Sequence, residues 1–67
     1  MKKSTRIANA EAARILLISA RELHDAAFYK LREAYPDEFS DNMTPTDVNL
    51  LNLLYFSVEQ LDKEGVL

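Results

Sequence analysis

The sequence predicts an all-α protein, a two-helix antiparallel hairpin of 67 residues that dimerises into a four-helix bundle. Three observations support this fold class. Residues 5–35 contain no glycine or proline and are rich in good helix formers. Thr44, Pro45 and Asp47 form a helix start signal before a leucine-rich stretch. The chain is also short, and a domain of this size removes only about 60% of its unfolded surface from water when it folds alone.

The single predicted domain consists of a basic tail, a first helix, a polar loop, a second helix and a C-terminal cap with its tail. The bounds of these segments are residues 1–4, 5–35, 36–43, 44–64 and 65–67. Pro36 ends the first helix because the residue before a proline is driven out of the helical region. Gly65 ends the second helix, since glycine readily adopts the left-handed backbone that closes many helices.

Helical periodicity places an apolar seam on the first helix and an apolar stripe on the second. We expect the seam, in which small and large residues alternate, to contact the second helix of the same chain. Its members are Ala13, Leu16, Ala20, Leu23, Ala27, Leu31 and Ala34. The stripe contains Leu50, Leu51, Leu54, Val58 and Leu61. Because the first helix is longer by about ten residues, its start is expected to project roughly 15 Å beyond the hairpin.

Three isoleucines lie on the otherwise polar side of the first helix. Ile7, Ile15 and Ile18 share this side with Glu11 and Glu22. A helix that is apolar on more than one side is usually buried on more than one side. The isoleucines therefore indicate an interface, which either completes the core by self-association or docks on a different protein.

Two aromatic residues complete the set of candidate interface residues. Phe56 falls among polar residues of the second helix and is expected to face outward. Burying such a side chain at an interface can contribute about 1.5–3 kcal/mol. Contact with a second copy, contact with a different protein and no role at all remain open for Phe56. Tyr29, on the solvent side of the first helix, is a further candidate of the same kind.

The arginines of the first helix define an alternative surface. Arg14, Arg21 and Arg32 share one face, and in a two-fold dimer two such faces could lie side by side. In size and architecture, although in no motif, the chain resembles Rop-like helical hairpins, which dimerise and bind RNA through one helix face. That resemblance implies a dimeric nucleic-acid-binding regulator. The interspersed acidic residues instead favour a solvated face in which the arginines form salt bridges at helical spacing.

Composition excludes several kinds of chemistry. The chain has no cysteine and a single histidine, His24, so disulfides, thiolate zinc sites and cysteine nucleophiles are excluded. No set of nucleophile, base and oxyanion donors can be assembled, so we expect no enzyme activity, no cofactor and no metal. The apolar run at residues 15–18 is too short for a signal peptide core or a membrane span, which predicts a cytoplasmic location without membrane association.

These observations predict a small non-catalytic protein–protein interaction module that forms a homodimer. Such a module suits a regulator or inhibitor of a larger protein, like those carried by bacteria and their phages or plasmids. Phe56 and the three isoleucines would anchor the contact, and the arginines would set its orientation. The alternative is the nucleic-acid-binding regulator described above. The net charge of the chain, −3, disfavours this alternative because it opposes indiscriminate binding to nucleic acid.

Overall fold

The computed structural model describes residues 2–67 and contains two α-helices joined by an ordered connection. Helix α1 spans Lys3–Ala34 and helix α2 spans Leu50–Lys63, with short 3₁₀ turns at Pro36–Glu38 and Pro45–Asp47 between them. The all-α class with two helices is confirmed, since the described residues contain no strand. None of the helices in this part of the chain is long and apolar enough to cross a membrane.

Helix α1 begins two residues earlier than predicted. Lys2, whose backbone is extended, precedes the first turn and supplies no side-chain cap. Ser4 is therefore helical rather than part of a loose tail, whereas Met1 of that predicted tail lies outside the described residues. The helix ends at Ala34 because Tyr35, which precedes Pro36, leaves the helical region with φ −131° and ψ 66°.

The connection between the helices runs back along α1 instead of reversing direction once. Val48, near its end, accepts a hydrogen bond from His24, about three helical turns before the end of α1. At the other end of α2, Glu64 accepts a hydrogen bond from the Tyr35 hydroxyl. Helix α2 therefore starts beside His24, ends beside Tyr35 and runs in the same direction as the segment of α1 between these two residues. Residues 35–49 run back along α1 before α2 begins. The two helices are therefore not antiparallel to each other, in contrast to the prediction from the sequence.

Helix α2 begins at Leu50 rather than at Thr44. The predicted pair at the start signal does form, since the Thr44 amide donates to Asp47 Oδ2 over 2.7 Å. It opens only a 3₁₀ turn, because Val48 then returns to extended backbone with φ −132° and ψ 125°. The cap of α2 is Asn49, whose Oδ1 accepts from the Asn52 amide over 2.8 Å.

The C-terminal end of α2 follows the prediction. Gly65 has a φ of +77°, in the left-handed region that favours glycine. Its amide donates to the carbonyl oxygen of Asp62, and the Val66 amide donates to that of Leu61. These two bonds form a Schellman motif, so Gly65 closes the helix as expected.

The core lies where the connection crosses the C-terminal third of α1. Phe28 is completely buried, and Phe39 of the connection and Leu53 of α2 are buried with it. The Phe28 and Phe39 rings meet edge to face with their centroids 5.3 Å apart. The side chains that pack around this centre are Leu31, Tyr35, Met43, Val48 and Phe56.

The predicted seam of α1 provides only part of the contact with the rest of the chain, since Leu31 packs against the core but most of the other members are exposed. Leu16 and Leu23 are 70% and 71% exposed, and α1 packs through an arc that contains His24, Phe28 and Tyr35. The aromatic side chains of this arc bury more apolar area than the alanines of the seam, which accounts for the rotation of the contact. The predicted stripe of α2 is likewise exposed, and Leu53 is buried in its place.

Candidate interaction surface

The first half of α1 extends away from the compact end of the molecule. Every residue from Lys2 to Ser19 is exposed. This free segment is about 25 Å long at 1.5 Å per residue, which exceeds the projection predicted from the helix lengths. Residues 15–18 are all apolar, so they occupy every side of the helix. The free segment therefore exposes apolar side chains all round, a pattern typical of helices that are covered on several sides.

The three isoleucines form one surface of this free segment, here called the isoleucine face. Ile7, Ile15 and Ile18 are all exposed, as the sequence predicts. Ile18 also lines a shallow depression, together with Leu17 and two arginines, Arg14 and Arg21. The isoleucine face is thus an apolar surface with two cations at its edge.

A second apolar surface lies on another side of the molecule. It consists of the predicted seam of α1 and a groove of about 400 Å³ between α1 and α2. Leu23, Ala27 and Leu31 belong to both the seam and the groove, while Leu50 and Leu54 form the opposite wall. The seam and groove are therefore one continuous surface, which runs from the free segment onto the compact end of the molecule.

Phe56 does not face outward as predicted. It is half-buried, and its ring meets the rings of Tyr35 and Phe39 edge to face, with centroids 5.7 and 5.6 Å apart. The polar neighbours of Phe56 on α2 suggested exposure, but Phe39 and Tyr35 approach from outside the helix and cover the ring. A helical wheel contains no information about such residues, so their contact with Phe56 could not be predicted from periodicity.

Tyr29 is exposed, as predicted, and Arg32 stacks against it. The Arg32 guanidinium lies 4.9 Å from the Tyr29 ring centroid and 5.7 Å from that of Phe28. These cation–π contacts hold Arg32 half-buried at the compact end of α1. Arg14 and Arg21 lie together on the depression beside Ile18, so the structure divides the arginine face into two separate parts.

The salt bridges expected along the arginine face are not formed. Among residues 2–67, the ion pairs join His24 with Asp25 at 3.8 Å and Lys63 with Glu59 at 3.3 Å. Neither Arg14 nor Arg21 lies within ion-pair distance of a carboxylate in this part of the chain. Both guanidinium groups are therefore available to a partner.

Two titratable side chains, His24 and Tyr35, form hydrogen bonds between parts of the chain that are distant in sequence. The Nε2–H of His24 donates to the Val48 carbonyl oxygen over 2.7 Å. The pKa of the Tyr35 hydroxyl is raised from its ordinary value of 10.0, first by loss of contact with water and then by its hydrogen bond to Glu64 and the charge of that carboxylate. Within residues 2–67, no three His, Asp or Glu side chains come together in a way that could hold a metal ion.

Comparisons with protein-family models, with curated proteins and with solved structures found no match for this chain. The chemistry of the two exposed apolar surfaces is therefore the basis for a functional assignment.

Proposed function

We propose that this protein is a small non-catalytic protein–protein interaction module, which works as a homodimer and docks one helix face on a larger protein. One observation carries the proposal. Of the described residues, fifteen large apolar side chains are exposed, whereas the buried core contains three residues. Apolar surface of this extent usually marks interaction sites, because leaving it in water is unfavourable.

The isoleucine face is the surface that we assign to the larger protein. Branched aliphatic side chains anchor interfaces well, since burying each one fully contributes about 1.5–3 kcal/mol. Arg14 and Arg21, at the edge of this face, have no carboxylate partner within residues 2–67. They can pair with acidic residues of the larger protein and so fix its orientation. We therefore expect a partner with an apolar patch that has carboxylates at its rim.

Phe56 is removed from the set of anchors, because its ring is half-buried against Tyr35 and Phe39. Tyr29 remains exposed and lies on the compact end of α1. The role of regulator or inhibitor follows from the same physics, since a short helical module without chemistry of its own acts by occupying a surface of its target.

The alternative is binding of nucleic acid through Arg14 and Arg21. The observation that favours it is that neither arginine makes an ion pair among the described residues. A dimer would present four such arginines, and four phosphate contacts would lower the affinity by roughly 100-fold between 50 and 200 mM salt. Docking through isoleucines would change little over that range, because apolar contacts are not screened by ions.

The test is affinity capture from a lysate of the source organism with the tagged full chain at low and high salt. The informative variant is Ile15→Ser with Ile18→Ser. The matched control is Leu51→Ser with Tyr55→Ser, which removes exposed apolar side chains from α2 instead. We expect one larger protein to be captured by the wild type and the control at both salt concentrations, and to be lost with the isoleucine variant.

Two results would contradict the proposal. Equal capture of the same proteins by all three chains would show that the isoleucine face is not the docking surface. Recovery of nucleic acid at low salt, its release at high salt and its loss with Arg14→Gln and Arg21→Gln would instead support the alternative.

A further inference from the structure

We propose that a second copy of this chain covers the seam, through an antiparallel contact between the two α1 helices centred on Ala20. This inference rests on the homodimer in the proposed function and names the surface that forms it. The sequence predicted this seam as a contact within one chain, but the structure leaves it exposed. Ala20 and Leu31 are half-buried, and the other five members are exposed.

The exposed area of the chain matches what a stable dimer needs. The chain exposes 5640 Å². A compact monomer of 7.7 kDa exposes roughly 4300 Å². The excess of about 1300 Å² per chain corresponds to about 2600 Å² for a pair, within the range of obligate homodimers.

The shape of the chain leads to the same conclusion. Its radius of gyration is 16.4 Å. A compact domain of this length has a radius of roughly 11 Å. The free segment of α1 accounts for the difference, and a helix of this length without packing is marginal in water. A second copy placed along the seam would bury the free segments of both chains.

The seam has the spacing of a helix–helix contact. Alanine recurs at every seventh residue, at positions 13, 20, 27 and 34. Leu16 and Leu23 lie between these alanines, so from Ala13 to Ala27 the pattern alternates steps of three and four residues, as in a coiled coil. Within seven residues of Ala20 the pattern is nearly symmetric, with Leu16 and Ala13 on one side and Leu23 and Ala27 on the other, which suits an isologous two-fold contact.

The flanking residues allow the two backbones to approach closely. Ala12, Ser19 and Ala26 each precede a seam alanine, so the chain presents pairs of small side chains at three successive heptads. Small side chains reduce the distance between helix axes, and the leucines then fill the spaces between the small pairs.

The antiparallel direction follows from the groove and from charge. It places the free segment of each copy beside the groove of the other, where Leu50 and Leu54 are exposed. It also brings the cations near the start of α1, Lys2, Lys3 and Arg6, close to Glu33, Asp37 and Glu38 of the other copy. A parallel pair would place like charges together at both ends, which is unfavourable.

The contact leaves the isoleucine face free. Ile7 and Ile18 lie on the side of α1 away from Ala20, at 100° per residue. The two apolar surfaces then have separate occupants, with the second copy on the seam and groove and the larger protein on the isoleucines.

The first test is sedimentation equilibrium of the full chain from about 1 µM to 1 mM. The variant is Leu16→Ser with Leu23→Ser, and the matched control is Ile15→Ser with Ile18→Ser, which makes the same number of changes to serine on the same helix. We expect a wild-type dimer, a dimer for the control, and at least about 100-fold weaker association for the leucine variant, because four buried leucines are lost per dimer. A monomeric wild type, or a dimer that only the isoleucine variant breaks, would overturn the inference.

The second test keeps the inference falsifiable if the leucine variant unfolds. The chain has no cysteine, so single cysteines report on contact between copies. We expect disulfide-linked dimers from Ala20→Cys alone, and from a mixture of Ala13→Cys and Ala27→Cys, but none from Ala13→Cys alone. Cross-linking of Ala13→Cys with itself would indicate a parallel pair and contradict the inference. Because none of these variants changes an isoleucine, failure here leaves the proposed docking surface to its own test.

Discussion

The imidazole of His24 donates its Nε2–H to the carbonyl oxygen of Val48 over 2.7 Å, although the two residues are 24 positions apart in the chain. Val48 immediately precedes Asn49, the cap of α2. The hydrogen bond therefore fixes the point on α1 at which α2 begins. From that point, Leu53 reaches Phe28 and the core forms.

Replacing His24 with alanine should lower the free energy of unfolding by about 1–2 kcal/mol, because the partly buried Val48 carbonyl loses its donor. Urea denaturation followed by circular dichroism, at one protein concentration, measures the change. His24→Gln is the control, since its amide can donate at a similar reach. If His24→Gln and His24→Ala lose equal stability, the hydrogen bond does not contribute as described.

Replacing Phe56 with alanine should destabilise the fold by about 1–3 kcal/mol, because the half-buried ring loses its contacts with Tyr35 and Phe39. Thermal unfolding is the measurement. Tyr55→Ala is the matched control, since the neighbouring Tyr55 side chain is 65% exposed and its loss should change stability by no more than about 0.5 kcal/mol. Equal stability of Phe56→Ala and wild type would show that the ring is free for a partner after all.

The raised pKa of Tyr35 predicts a loss of stability at high pH. The folded chain favours the neutral hydroxyl, so this contribution is complete below the ordinary pKa of 10.0 and is lost as the pH rises through the higher folded value. Absorbance titration at high pH should contain a late component that Tyr35→Phe removes and Tyr55→Phe retains.

The same titration separates the contribution of charge. Glu64→Gln should lower the midpoint of the Tyr35 component, because a neutral amide does not repel the phenolate. A midpoint that Glu64→Gln leaves unchanged would mean that the charge of Glu64 does not contribute to this pKa.

The two candidate caps of α2 can be compared directly. Asn49→Ala should lower stability by about 1 kcal/mol, because the Asn52 amide at the start of α2 loses its acceptor. Thr44→Ala should reduce the helix content of α2 less, since Thr44 begins a separate 3₁₀ turn. Circular dichroism during thermal unfolding of both variants measures the difference. The opposite order would place the start of α2 at Thr44.

Local signals in the sequence predicted the ends of the helices with mixed success. Pro36 and Gly65 act on the backbone of their immediate neighbours, and both ends are found within a residue of the expected positions. The pair Thr44 and Asp47 also forms, but it does not start α2, because Val48 and Asn49 return to extended backbone before the helix begins. A local capping signal indicates that a turn starts and does not determine how far that turn continues.

The exposed surfaces also include features that the sequence predicted and features that it did not. The isoleucines, Arg14 and Arg21 are exposed, as helical periodicity predicts, because the compact end of the molecule packs against a later part of α1. Phe56 and Arg32 were predicted to be solvent-facing. Tyr35 and Phe39, which are distant in sequence, partly cover Phe56, whereas Arg32 stacks on Tyr29, one helical turn earlier. The free segment could therefore be described from sequence, whereas the compact end could not.

The sequence by itself determined that this protein is all-α, that it contains one long and one short helix, and that the long helix has apolar side chains on more than one side. These properties follow from residue propensities and periodicity, which act over a few neighbouring positions. The tertiary structure decided which apolar side is used within the chain. The aromatic side chains of Phe28, Phe39 and Phe56 meet across long sequence separations and bury more area than the alanine-rich seam. The connection therefore folds back over them, and most of the seam stays exposed.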